Sequence, residues 1–444
     1  MNNMRAAPGA PDGLSLAGLL EETLPASTKG LRFSFAGRPL RDIGTQGWNV
    51  LHGDVPLPAA VLKDSALIHN SRTMQKFSQH VGFKLFPHGK TTMAPQLFDR
   101  QLRDGAWGMT AATVGHVVTY RRFGVRRILF ANQLIDPLGI EFVLDELARD
   151  PEFEFYCLVD SRASIDRLAD AVARRQHARP IQVLIEVGAT GGRSGVRTLA
   201  AAVALAQHLR ANLSSLELRG VALFEGIYGV PTDPTAAQKV STLIVNARAI
   251  IDRIMALGLF APGPILVTAG GSAFFEQVAF ELGRAGGPEF VFVLRSGCYL
   301  TYDHGMYEQM LSKSARVPMW AVSLPQPLRP ALEVWGYIQS RPEPQLAIAN
   351  FGKRDLSYDL GLPRPLSWRR PALTAHLQSF DESVSVSALN DQHAYLQIPA
   401  DHALAVGDLV GVGVSHPCTT FDKWQLLYLV DDDYNVIGGI RTFF

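Results

Sequence analysis

The chain is poor in cysteine, in lysine and in charge of either sign. Its 444 residues hold 3 cysteines, Cys157, Cys298 and Cys418. So sparse and odd a set excludes a disulfide framework and points to a reducing compartment; Cys157 and Cys298 read as small buried hydrophobes. Charged residues make up 19% and sum to +1, which leaves no global field for nucleic acid or an anionic membrane. The arginine pairs Arg121-Arg122, Arg126-Arg127 and Arg174-Arg175 are scattered and read as solvated helix faces. No apolar run reaches the roughly 18 residues of a membrane span. Met1 to Gly13 is polar, without the charged and then apolar order of a signal peptide, so a cytoplasmic protein is expected. What is abundant is apolar surface: 47% hydrophobic residues suffice for two domains, or for one large barrel with an accessory domain.

Because lysine is scarce, 9 against 33 arginines, a lysine at an unusual place carries information. One closes an apolar strand in Phe83-Lys84-Leu85-Phe86-Pro87-His88-Gly89-Lys90-Thr91-Thr92, and Met93 to Asp104 reads as the helix that follows. Lys90 therefore stands at a strand-to-helix junction, where α/β folds place their chemistry. A lysine in a semi-enclosed pocket loses its proton readily and forms a Schiff base with a carbonyl. A solvated lysine at a helix start is the plainer alternative from this segment alone.

Residues 1–60 hold one amphipathic candidate, Leu14 to Leu24, then a connection rich in proline and glycine and an extended stretch, Asn49 to Val61. Regular alternation follows. Strands are expected at Gly82–Phe86, Ala106–Met109, Arg127–Phe130, Phe155–Val159, Ile181–Glu186, Leu216–Leu223, Ile265–Thr268 and Phe290–Leu294. Helical stretches separate them, among them Pro137–Arg149, Ser161–Arg175, Leu199–Leu213 and Ala236–Leu257. Eight strands with intervening helices favour an α/β fold closed as a (β/α)8 TIM barrel over an open doubly wound sheet. Beyond about Met310 short alternating segments, Ala331–Tyr337, Leu346–Ala349, Ser383–Ala388, Leu409–Val414, Gln425–Val430 and Val436–Ile440, read as a compact C-terminal β domain. The expected division is an N-terminal extension over 1–60 that partly joins the β domain, a barrel over 61–310, and the β domain over 311–444.

Four further segments carry candidate chemistry. In Gly411-Val412-Gly413-Val414-Ser415-His416-Pro417-Cys418, His416 and Cys418 are two apart; in extended chain they would point to one side. Imidazole and thiolate together suit Zn2+, and two visible ligands leave open positions, as a catalytic site does; a buried cysteine beside an unrelated histidine has the same spacing. Thr268-Ala269-Gly270-Gly271-Ser272 ends the seventh strand, where small residues and a helix N-terminus suit a phosphate, or where Ser272 simply caps the helix. Arg193 after the fifth strand and Arg295 after the eighth stand at the same face, able to bind an anion or to brace a loop.

Assembled, these segments resemble the D-serine dehydratase / D-threonine aldolase family of pyridoxal-phosphate enzymes, which have an alanine-racemase-like barrel and a C-terminal β domain. The resemblance runs from about Val61 to the C-terminus, through Pro87-His88-Gly89-Lys90-Thr91, Gly105-Ala106-Trp107-Gly108, Ala112-Thr113-Val114-Gly115, Arg295-Ser296-Gly297-Cys298-Tyr299, Gly352 to Asp359, Asp391-Gln392-His393 and Ser415 to Thr420. It implies that Lys90 holds pyridoxal 5'-phosphate covalently and acts as base at Cα. His88, Arg193, Thr268, Gly270, Gly271, Ser272 and Tyr299 would line the cofactor, with Arg193 near the ring's phenolic edge. His416 and Cys418 would bind a divalent metal beside the substrate β-hydroxyl. Cys418, where the aldolases tend to have aspartate, points to zinc and to β-elimination from a D-3-hydroxy amino acid, D-serine by default. The alternatives are retro-aldol cleavage to glycine and an aldehyde, a metal-independent racemase, and a non-catalytic cofactor-binding protein. A homodimer is implied as well. Thr92, His116 and the pair Phe224-Glu225 depart from the family pattern and leave the substrate open.

Overall fold

Eight parallel strands alternate with helices from Lys84 to Leu294 in the computed structural model of the chain, which describes residues 13–175, 179–229, 231, 233–283, 287–308, 324–371 and 376–444. In chain order they are Lys84–Leu85, Met109–Ala111, Arg127–Gln133, Glu154–Val159, Ile181–Val187, Leu216–Leu223, Ile265–Ala269 and Phe290–Leu294. Each pairs with its sequence neighbour except the first two, and the first pairs with the eighth. The ring closes by a parallel bridge between His88 and Thr110, with Thr110 N–H donating to Pro87 O at 2.9 Å and Thr110 Oγ1 to Phe86 O at 2.6 Å. This is the expected α/β barrel. Its interior is filled by Phe86, Leu129, Tyr156, Leu158, Leu184, Ala222, Leu266 and Val293.

Helix starts follow local chemistry. Asp136 accepts from Gly139 N–H at 2.8 Å ahead of Pro137, and Thr113 and Thr198 accept from the N–H groups of His116 and Ala201. The helix expected from Met93 begins only at Pro95. Proline drives the residue before it out of the helical region, and Ala94 is extended at φ −118°, ψ 108°. Lys90 consequently lies on a separate 3-10 turn, Gly89–Thr91. The amphipathic candidate Leu14 to Leu24 shrinks to Ala17–Glu21, which has no capping side chain.

The second sheet has ten strands. Ala59–Lys63 lies inside it, antiparallel to Leu332–Glu343 and parallel to Leu426–Val430, so the boundary expected at residue 61 falls within one strand. Leu19, Leu24, Leu31, Phe35, Leu40 and Ile43 from the N-terminal segment pack with Trp335, Tyr428 and Val436 of this sheet. The boundary expected at 310/311, and the sequence before Gly13, lie outside the described residues. One expected solvated arginine is buried: Arg121, with a 6% exposed side chain, pairs with Glu146 and Asp150 at 2.7 Å each. Among the described residues no helix is long and apolar enough to cross a membrane.

Candidate active site

Every candidate side chain from the barrel lies at the carboxyl ends of its strands, where loops rather than strand pairing set the geometry. Lys90 follows the first strand; its side chain is exposed at the barrel mouth. The turn that carries it is tightly held. A Cβ on Gly89 would meet the Tyr120 hydroxyl at 2.3 Å, and one on Gly297 would meet His88 O at 2.5 Å. Met93, three residues on, is held at φ 41°, a sparsely populated conformation typical of constrained sites.

His88 sits below Lys90 with its Nδ1 buried and without a hydrogen-bond partner. Burial, and then the positive charges of Lys90 and Arg295, hold its pKa well below the ordinary value. His116 is lowered to about 4, again by burial first and Lys90 second. Its Nδ1 accepts from Ala112 N–H at 3.2 Å, so its neutral ring carries the proton on Nε2. Burial and the lysine charge thus push both rings toward the neutral form.

The opposite wall is charged. Arg295, 5% exposed, donates to Leu223 O at 2.6 Å and to Thr268 Oγ1 at 3.4 Å, with Glu225 and Glu186 as its counter-charges. Arg193 stacks over the Phe224 ring at 4.8 Å and lies 4.0 Å from Glu186. The backbone N–H groups of Gly270 and Gly271 donate to the Glu225 carboxylate at 3.2 and 2.5 Å. Thr268 is fully buried, its hydroxyl donating to Val293 O at 3.2 Å. Ser272 accepts from Cys298 N–H at 3.3 Å, and with Ser296, Cys298 and Tyr299 it lines a narrow pocket. The Tyr299 hydroxyl is turned to Gln101 Nε2 at 3.1 Å.

The β domain reaches this face through the segment after Leu409–Gly413. The extended-chain geometry expected of His416 and Cys418 is not found. Pro417 is helical, at φ −56°, ψ −41°, and starts the one-turn helix Cys418–Phe421. The two side chains therefore go to different partners. His416 Nδ1 is 2.6 Å from Asp359 Oδ2, and Thr419 Oγ1 donates to Asp359 Oδ1 at 2.9 Å. Burial raises the Asp359 carboxyl, but the bonds to His416 and Thr419 outweigh it and hold it below the usual range. Cys418 Sγ lies 3.6 Å from Cys298 Sγ and 3.5 Å from Thr91 Oγ1. Cys298 is buried as expected, yet it is not an inert hydrophobe. Its hydrogen bond with Cys418 pulls its pKa down and pushes that of Cys418 up.

The residues fit the two groups that the sequence resemblance implies. For pyridoxal phosphate there is an exposed lysine on a fixed turn, an unpartnered buried imidazole nitrogen and a glycine turn at the end of the seventh strand. For a divalent metal the donors fit in kind: an imidazole whose Nδ1 is engaged by a carboxylate, leaving Nε2 free, and soft sulfur. Among the described residues no three or more His, Cys, Asp or Glu side chains are already gathered as a metal site. Sequence reasoning passed over Glu225, Cys298, Thr91 and Asp359 as site groups. Glu225 and Asp359 lay in segments singled out for other reasons, and only the fold joins Cys298 to Cys418.

The family described as "Alanine racemase, N-terminal domain" matches residues 63–287, and "Putative serine dehydratase domain" matches 331–430. A D-threonine aldolase from an Arthrobacter species is 25% identical over 85% of this chain and 90% of its own length. A 3-hydroxy-D-aspartate aldolase of Paracoccus denitrificans is 24% identical over 70% of this chain and 75% of its own. The solved D-threonine aldolase from Filomicrobium marinum superposes with a TM-score of 0.71 at 22% identity, covering 88% of this chain and 95% of that one. The D-threo-3-hydroxyaspartate dehydratase from a Delftia species gives a TM-score of 0.66 at 20% identity, over 87% and 97%.

Proposed function

Since the chain belongs to the family of the alanine racemase N-terminal domain, we propose that it is a pyridoxal-phosphate-dependent lyase of D-3-hydroxy amino acids. The coarse class, a D-amino-acid lyase, is supported by the aldolases and the dehydratase it resembles along most of its length. The finer reading is zinc-assisted dehydration, with D-serine or D-3-hydroxyaspartate as substrate and a 2-oxo acid and ammonia as products. One observation carries it: the Cys418 thiol of the β domain reaches the hydroxyl of Thr91, the residue next to Lys90. A racemase has no need of sulfur beside its lysine.

Bound pyridoxal phosphate supplies a ring that withdraws electrons from the substrate Cα. Lys90 would hold it, and its Nζ would take the Cα proton. His88 and Arg193 would flank the ring, and Thr268, Gly270, Gly271, Ser272 and Tyr299 would surround the phosphate side. A divalent metal supplies Lewis acidity to the β-hydroxyl, a poor leaving group unaided. His416 Nε2 and Cys418 Sγ would hold it, with Asp359 fixing the imidazole. A D-threo-3-hydroxyaspartate dehydratase mutant was solved in a metal-free form, which supports a metal in that enzyme.

Retro-aldol cleavage is the second reading, favoured by the aldolases among the sequence relatives. The products decide. Purified protein is given D-serine, D-threonine and D-3-hydroxyaspartate, with and without a chelator, and 2-oxo acid, ammonia, glycine and aldehyde are assayed. Chelator-sensitive 2-oxo acid and ammonia support dehydration; glycine and aldehyde in their place overturn it. Lys90→Ala should abolish both the bound-cofactor absorbance and turnover. Retained turnover would remove Lys90 from the mechanism. The reading extends to a homodimer, checked by sedimentation.

A further inference from the structure

We propose that Cys298 is a second thiolate ligand of the divalent metal, so that the ion is held by Cys298 of the barrel together with Cys418 and His416 of the β domain. This rests on the metal-dependent reading above and deepens it. The argument is one of distance. A disulfide would bring the two sulfurs to about 2.0 Å. A thiol–thiol hydrogen bond joins the two sulfurs, and it holds them at the spacing a shared ion needs. Two thiolates sharing a tetrahedral zinc, with bonds of about 2.3 Å, stand about 3.8 Å apart. The observed separation is 3.6 Å.

The surroundings agree. The sulfurs come from chain segments 120 residues apart, the end of the eighth barrel strand and the turn after Pro417. Cys298 is fixed from both sides: its N–H donates to Ser272 Oγ at 3.3 Å, and its sulfur lies 3.7 Å from Thr91 Oγ1. The sulfur pair is thus already placed, and His416 stands two residues from Cys418 with its ring oriented by Asp359. Binding releases the thiol protons to solvent, M2+ + 2 RSH giving M(SR)2 + 2 H+. Three protein donors would leave the ion room for a substrate oxygen.

The test uses the full-length protein, reduced and loaded with Zn2+ or Co2+. X-ray absorption of the wild-type zinc form should show two sulfur neighbours at about 2.3 Å. One sulfur overturns the proposal. With Co2+, the thiolate charge-transfer absorbance of wild type should fall by about half in Cys298→Ser. Metal affinity in competition with a chelator should fall by more than the about 10- to 100-fold typical of losing an outer partner. Cys298→Ala, whose bound-cofactor absorbance reports folding, should behave alike. Unchanged absorbance and affinity within about tenfold would make Cys298 a neighbour only. A wild-type protein that binds neither metal would instead overturn the metal-dependent reading itself.

Discussion

The Glu225 carboxylate occupies the backbone N–H of Gly271 at 2.5 Å, in the turn at the end of the seventh barrel strand. Gly270 N–H completes the pair at 3.2 Å. These are the amides that the sequence reading reserves for a phosphate. A buried carboxylate and a phosphate cannot both own them. Glu225→Gln weakens a charged hydrogen bond to a neutral one, a loss of about 1 kcal/mol. Cofactor affinity, followed by fluorescence titration of the apoprotein, should rise about fivefold. A fall would show instead that Glu225 shapes the turn for its ligand.

Asp359 holds His416 at 2.6 Å and lies outside the sulfur pair. Asp359→Asn keeps the shape but removes the charge that orients the ring. Metal affinity should drop about 10- to 100-fold while the cofactor absorbance is unchanged. Equal loss of both would mark a folding defect.

His116 offers a test by pH. Its pKa in the folded protein is about 4 against 6.5 for the free side chain, through burial and then Lys90. The unfolded chain therefore binds the proton more readily. The stability this neutral imidazole contributes is present above pH 6.5 and is lost as pH falls toward 4. Melting temperature between pH 7 and 5 should depend on pH less steeply in His116→Gln. In Lys90→Met, NMR of the ring protons should show the His116 midpoint moving upward, because one neighbouring cation is gone.

Arg121 is a structural test. Its side chain joins Glu146, 5% exposed, to Asp150, and stacks 4.1 Å from the Phe153 ring. Arg121→Ala leaves the buried Glu146 carboxylate with the exposed Arg149 as its remaining partner and should cost about 1–3 kcal/mol in denaturant unfolding. Turnover per folded molecule should be unaffected.

The barrel and the β domain were legible because strand length, alternation and turn residues act locally. Phe155–Val159 and Leu216–Leu223 are read from the sequence within a residue of where they lie. The errors come from proline. Pro95 cut back the helix after Lys90, and Pro417 bent the segment through His416 and Cys418 out of extended form. The site itself was half legible. Lys90 and the Gly270-Gly271-Ser272 turn announce themselves by residue type at strand ends. Cys298 and Glu225 do not, because their meaning depends on partners 120 and 45 residues away. Arg121 misled for the same reason: a helix face looks solvated until the next helix is known.

The barrel closes at His88 and Thr110, and the stave that completes the ring is the segment leading to Lys90. Seven seams are ordinary strand pairs; the eighth is a single bridge beside the lysine. A ligand anchored at Lys90 is therefore also a hoop. The protein that carries it should resist heat and proteases as a closed vessel does, and the one that has lost it should leak first at that seam, exchanging the Thr110 amide ahead of the rest of the wall.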